Sequence, residues 1–143
     1  MADIKKSFED IANWIREGNP NNMNAALDPE FVSHDDQEMT SVTRYKVQEW
    51  ELNQRNQVHG GAVTAMFDTA MGSTVAAYSG RNVTTAEMST SFVRPFFGEE
   101  FDFVSKVINI GRSLSRVECK AYNVESGKLV ATAHATFAYI DWR

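Results

Sequence analysis

The chain reads as an α+β fold in which an antiparallel sheet of about five to six strands wraps around one long central helix. Two observations predict this. The stretch from His59 to Gly80 is apolar or small-residue throughout and carries one formal charge, Asp68. After Gly80 the pattern changes from helical to alternating, in runs separated by short turns. Short turns join antiparallel neighbours, and a helix that is apolar on every side has to be covered on every side. A sheet that closes around the helix satisfies both.

The elements follow in order. Ile4, Phe8, Ile11 and Ile15 recur at helical spacing with Trp14 beside them, which predicts an N-terminal amphipathic helix over about residues 4–17. Asp3 is its N-cap and Gly18-Asn19-Pro20 its stop. Residues 21–28 are polar and predict one further short helical turn before Pro29. A short strand is expected at 31–34, a polar turn at 35–38, and a long extended run over 39–52 that includes Val42, Tyr45, Val47 and Trp50. Residues 53–58 form a loop into the long helix, which opens at Gly60-Gly61. Four strands come next. The first, 84–94, stops at Pro95. The second, 101–110, ends at Gly111, and the third is 115–122. A hairpin turn at 123–127 leads to the last, 128–140. In the third, Val117, Cys119 and Ala121 alternate with Arg116, Glu118 and Lys120; in the last, Leu129, Ala131, Ala133, Ala135, Phe137 and Tyr139 share a face.

Length and composition limit the functional classes. At 143 residues the chain, 1–143, is expected to form a single domain, and 43% hydrophobic residues suffice for a core. A net charge of -5 argues against nucleic-acid binding. Cys119 is the one cysteine, which excludes an intrachain disulfide and suits a reducing compartment. The N-terminus leads into a charged amphipathic segment, so no signal peptide and a cytoplasmic location are expected. The stretch 60–80 is long enough to cross a bilayer, but its Gly, Ser and Thr content and Asp68 make it a core helix, and no membrane partner is expected. Asn82-Val83-Thr84 matches a glycosylation sequon and reads as coincidence. No group of His, Cys and carboxylates has metal-ligand spacing, so no metal and no separate cofactor are expected. There is no Gly-x-Ser-x-Gly to support a serine hydrolase.

Chemistry concentrates around Asp68. A carboxylate on an apolar helix is costly to bury unless it is paired or used. Gly60-Gly61 leaves bare backbone N–H groups at the positive end of the same helix, where a developing oxyanion would be stabilised. Asp68 is therefore either a catalytic group or a buried aspartate that caps a neighbour or pairs with an arginine. His59, next to the glycines and downstream of Asn53, is a candidate site residue; His34 and His134 have no such company and read as a loop and a strand residue. Cys119 reads as a small core residue. Met66, Phe67, Met71 and Phe92 fit an acyl pocket or ordinary core packing equally.

Asn53, His59-Gly60-Gly61 and Asp68, spaced Asn-x5-His-Gly-Gly-x6-Asp at the opening of a buried helix, resemble the PaaI-type acyl-CoA thioesterases, and the element order resembles their hotdog fold. Phe92-Val93-Arg94-Pro95 and Gly111-Arg112-Ser113 resemble the same family, and the similarity covers roughly residues 31–140. The resemblance implies hydrolysis of an acyl-CoA thioester, with coenzyme A part of the substrate. It assigns the thioester carbonyl to the Gly60 N–H, the role of general base or nucleophile to Asp68, and water placement to Thr85, which stands where serine is often found. Asn53 and His59 would orient the thioester end. Gly61, Arg94, Arg112 and Ser113 become candidates for substrate binding, with Arg94, Arg112 and Arg116 as possible holders of the coenzyme A phosphates. Residues 35–41 are longer and more polar than in the family. Two other readings stand beside hydrolysis: a hotdog hydratase or dehydratase acting on enoyl or hydroxyacyl thioesters, and a non-catalytic acyl-CoA binding protein.

The spacing has a geometric consequence. Gly60 and Asp68 on one helix lie about 12 Å apart along its axis at ~1.5 Å per residue. A catalytic base must come within about 3 Å of its proton donor or act through one water. One helix cannot present both groups to one carbonyl, but two helices from two subunits can. The face of Asp68 carries Gly61, Thr64, Ala65, Gly72 and Ser79, small residues that would let another chain come close. A homodimer with two composite sites is expected, alone or as a dimer of dimers.

Overall fold

The computed structural model of the chain describes residues 3–140. Residues 1–2 and 141–143, the ends of the expected single domain, lie outside the described residues. The elements are α1 (Ile4–Glu17), α2 (Met23–Leu27), β1 (Glu30–Asp35), β2 (Thr40–Lys46), α3 (Gly60–Ser79), β3 (Val83–Phe92), β4 (Glu100–Ile110), β5 (Leu114–Asn123) and β6 (Leu129–Tyr139). The strands form one antiparallel six-stranded sheet in the order β1-β2-β4-β5-β6-β3. The hotdog architecture expected from the sequence is the architecture found.

Asp3 caps α1 by accepting the Lys6 N–H at 3.1 Å, and the helix stops before Gly18. α3 is capped by His59, whose Nδ1 accepts the Gly61 N–H at 2.8 Å, and it ends on Gly80 in the left-handed conformation, where glycine carries no Cβ penalty. Val63, Met66, Phe67, Ala70, Met71 and Val75 of α3 pack into the concave face of the sheet against Tyr45, Phe103, Val107, Val117 and Phe137. Two buried polar contacts fix the helix on β2: Tyr45 O–H donates to the Met66 carbonyl at 2.9 Å, and the Ser41 and Thr74 hydroxyls pair at 2.6 Å. Cys119 lies in the core.

Two expectations need correction. The extended run over 39–52 is not one strand. β2 ends at Lys46 and a 3-10 turn occupies Glu49–Glu51. The Glu51 carboxylate accepts the Gln48 N–H at 2.8 Å and Gln48 donates its side-chain amide to the Ala26 carbonyl at 2.7 Å, so polar side chains fold this segment back on α2. The long helix is also not covered on every side within the chain. Gly61, Ala62, Thr64, Ala65, Asp68, Gly72 and Ala76 retain exposure, and α1 and α2 lie only beside this stripe.

Candidate functional site

Asp68 sits half-buried in the middle of α3 and accepts a hydrogen bond from the Thr85 hydroxyl. The structure brings these two expected site residues into contact. A β-bulge explains how Thr85 reaches the helix. β3 pairs with β6 through Thr85↔Phe137 and Glu87↔Thr136, so Ala86 is an extra residue. The bulge changes which positions face inward: Thr85 faces the helix before it, while Met88 packs on the core and Thr90 buries its hydroxyl after it. Around Asp68 and Thr85 is a cleft of about 320 Å³, walled by Thr69, Gly72, Ser73, Val83 and Phe137 and by Ile11, Trp14 and Ile15 of α1.

Gly60 lies elsewhere. It is the first residue of α3, and its N–H meets no acceptor among the described residues. It borders a second cleft of about 390 Å³, formed with Gln57, Val58, Phe92, Val93, Arg94 and Pro95. Phe92 and Thr85 are at opposite ends of β3, about 23 Å apart over positions 85 to 92 at ~3.3 Å per residue. One chain therefore holds the amide donor and the acid–hydroxyl pair in two separate clefts.

The other expected site residues divide between these places. Arg94 joins Gly60, with its Nη1 donating to the Leu129 carbonyl at 2.6 Å. Arg112 and Ser113 are exposed in the β4–β5 turn. That turn is at the Thr85 end of the sheet, since Ser115, Phe137 and Thr85 share one row of the register. Arg116 reaches Thr136 at 3.4 Å. Asn53 borders neither cleft. Its Oδ1 accepts from the Arg55 and Gln57 N–H groups at 2.9 and 3.3 Å, so it shapes the loop that delivers His59 to the helix. His59 acts as the cap of α3 and borders a third cleft of about 240 Å³ with Gly61. A Cβ on Gly61 would sit 3.0 Å from the His59 ring, and one on Gly72 3.1 Å from the Phe137 ring. Both glycines thus have reasons inside the chain.

Two polar residues near these clefts were not singled out in the sequence. Asn24 of α2 accepts from the Thr69 hydroxyl at 2.6 Å and borders the Asp68 cleft. Only a short polar segment marked its position. Glu51 is 1% exposed on the wall of the His59 cleft, and burial raises its carboxyl above the usual glutamate range despite the bonds from Gln48. An acid beside the Asn-x5-His motif was visible, but its burial was not. Among the described residues no cluster of His, Cys, Asp and Glu could hold a metal ion, and no helix is long and apolar enough to cross a membrane.

A six-stranded antiparallel sheet around a helix that opens on His-Gly-Gly and carries one acid defines a class. Residues 56–130 match the family model of the thioesterase superfamily, and the chain belongs to that family. A Thermoplasma volcanium protein named as an esterase is 32% identical over 87 residues, covering 60% of this chain and 63% of that protein, so the match spans less than two thirds of that relative. The Escherichia coli PaaI protein, from the phenylacetic acid degradation operon, superposes with a TM-score of 0.80 at 22% identity over 97% of both chains. A phenylacetic acid degradation-related protein of Ralstonia eutropha gives 0.77 at 25% identity, covering 92% of this chain and 98% of that one.

Proposed function

We propose that this protein hydrolyses acyl-CoA thioesters to the free acid and coenzyme A, as a homodimer with two composite sites. The observation that carries the proposal is the separation itself. An unpartnered amide at a helix N-terminus and a hydroxyl-bonded carboxylate lie in different clefts of one chain, and each is half of a hydrolytic site. β3 supports a way to join them. It is an edge strand with little burial along its length, and Phe92, Val93 and Phe97 expose large apolar surfaces at one end. Such an edge invites pairing with another chain. Antiparallel pairing of two β3 edges brings the Thr85 end of one chain beside the Phe92 end of the other, and so Asp68 beside the other chain's Gly60.

The chemistry follows from these groups. The thioester oxygen accepts the Gly60 N–H at the positive end of α3, which stabilises the charge that forms on it. Thr85 donates its hydroxyl proton to one Asp68 oxygen, and its own oxygen can accept a bond from water. The second Asp68 oxygen takes the water proton as the water oxygen bonds to the carbonyl carbon. Collapse of the tetrahedral intermediate breaks the C–S bond. The thiol has a pKa near ~8.5, so its thiolate leaves without a strong general acid. Attack by Asp68 itself, through an anhydride that water then opens, uses the same geometry.

Subunit complementation tests the proposal. Gly60→Pro and Asp68→Asn chains, each inactive as a homodimer, are unfolded together, refolded and assayed for thiol release over a panel of acyl-CoA esters. A mixed dimer has one intact site, Gly60 of the Asp68→Asn chain with Asp68 of the Gly60→Pro chain. Random pairing should restore about a quarter of wild-type activity. No recovery, with mixed dimers verified by mass, would place both groups in one subunit and reject the composite site. An active monomer in sedimentation would do the same.

A further inference from the structure

Gly60 borders one cleft, and its chain neighbours His59 and Gly61 border another of different chemistry. In the first lie Phe92 and the guanidinium of Arg94. In the second, of about 240 Å³, Met23, Leu27, Trp50, Leu52 and Ala65 form an apolar wall, interrupted by His59 and Glu51. Glu51 is the unusual member. Its Oε1 accepts the Gln48 N–H, which is all the turn requires. Its Oε2 is buried and meets no hydrogen-bond partner. A buried carboxyl oxygen without a partner is unfavourable unless water or a bound group in the adjoining space meets it. The Glu51 carbonyl also accepts the His59 N–H at 2.8 Å, so Glu51 is tied to the residue that precedes the amide donor.

Building on the acyl-CoA reading, we propose that the substrate lies across Gly60 with its coenzyme A arm on the Arg94 side and its acyl group in the Glu51 cleft, where Glu51 hydrogen-bonds a hydroxyl carried by that acyl group. The phosphates of coenzyme A favour the side with the cation and are repelled by an acid. The acyl group suits the apolar wall. A hydroxyl can both donate and accept, so it satisfies Oε2 whichever protonation state Glu51 holds. A plain hydrocarbon chain would displace any water serving Oε2 and leave it unpaired. Glu51 is thus assigned as the residue that selects a hydroxylated acyl thioester over its unsubstituted analogue.

The test compares kcat/KM of the full-length protein for hexanoyl-CoA with that for isomers bearing a hydroxyl at carbon 2, 3 or 6. At least one isomer should exceed hexanoyl-CoA by about tenfold or more, because a site built to bond a hydroxyl rejects the analogue lacking it. Glu51→Leu should erase that advantage. Glu51→Gln, which keeps an acceptor for the Gln48 N–H and a polar atom at the Oε2 position, should retain part of it and guards against loss of the fold. Equal rates for all esters in the wild type, or an advantage unchanged in Glu51→Leu, would overturn the assignment while leaving hydrolysis intact. If no ester turns over, the acyl-CoA reading fails, and calorimetric binding of the same esters decides the role of Glu51. Hydroxyl-dependent binding that Glu51→Leu abolishes supports it, and equal binding overturns it.

Discussion

Replacing Gly60 with proline would remove a single hydrogen-bond donor and little else. Gly60 is the first residue of α3, the helix position where proline is favoured because its fixed φ suits the turn and its N–H is not needed by the helix. The preceding residue, His59, has φ -58 and ψ 136, outside the α region that a following proline disfavours. No intrachain acceptor is lost, since the Gly60 N–H has none among the described residues. A Cβ at this position would lie 3.5 Å from Phe92 Cζ, an ordinary contact. Stability should therefore hold, with a gain of about 0.4–1 kcal/mol from the stiffer unfolded chain. Turnover should fall by about 10²–10³, or ~2.7–4 kcal/mol, the cost of one missing oxyanion donor. Gly60→Ala adds the same carbon but keeps the N–H, so the difference between the two variants isolates the donor. Thiol release at saturating acyl-CoA and calorimetric Tm are the assays. A Gly60→Pro protein with intact Tm and turnover within tenfold of Gly60→Ala would refute an oxyanion role for this amide.

Three further outcomes follow from the same geometry. Thr85→Val should lower kcat by about 10–10² with little change in Tm, and Thr85→Ser should restore it, because only the hydroxyl bonds Asp68. Burial pushes the Cys119 thiol up to about 12, so a disulfide reagent at neutral pH should label the protein only on unfolding, leaving the thiol-release assay free of background. Glu51 is raised from 4.5 by burial, so the folded state holds its proton more tightly than the unfolded state. The stability this contributes is complete below the unfolded value and is lost as pH rises through the folded one. Tm of the wild type should thus decline relative to Glu51→Gln as pH is raised above ~4.5, and parallel Tm profiles would refute the raised value.

Where hydrophobic period alone determines structure, the sequence was readable. The helix expected over 60–80 is Gly60–Ser79, and the strands expected after it are the strands found; β4 and β5 each bury alternate residues, so that a slip of one residue would expose the buried set. The turn at Glu49–Glu51 was hidden for a different reason. Val47 and Trp50 favour a strand locally, but the Glu51 cap and the Gln48 bond to Ala26 depend on α2, some twenty positions earlier, and on burial of an acid. Asp68 and Thr85 were each legible as site candidates through family resemblance, while their contact and the device that aims Thr85, the extra residue at Ala86, were not. A bulge in a strand with so little burial leaves no periodic trace, since β3 has little hydrophobic alternation to interrupt. Asn24 was invisible because its role is set by Thr69, on a helix far away in the chain.

The small-residue stripe of α3 changes meaning once its neighbours are known, and this bears on how two subunits would hold together. From sequence, Gly61, Thr64, Ala65, Gly72 and Ser79 read as room for a second backbone. Gly61 instead makes room for the His59 ring that caps the helix, and Gly72 for Phe137 of β6. Thr64 turns its hydroxyl onto the Gly60 carbonyl at 2.9 Å. Both glycines thus have an intrachain reason as well, so the stripe by itself does not require a second helix. In the proposed dimer the register must come from the long β3 edge, whose backbone groups pair at fixed intervals, and not from helices that could slide over small side chains. That division suits the chemistry, because a base that must come within about 3 Å of its proton donor needs a partner held by a ladder of hydrogen bonds.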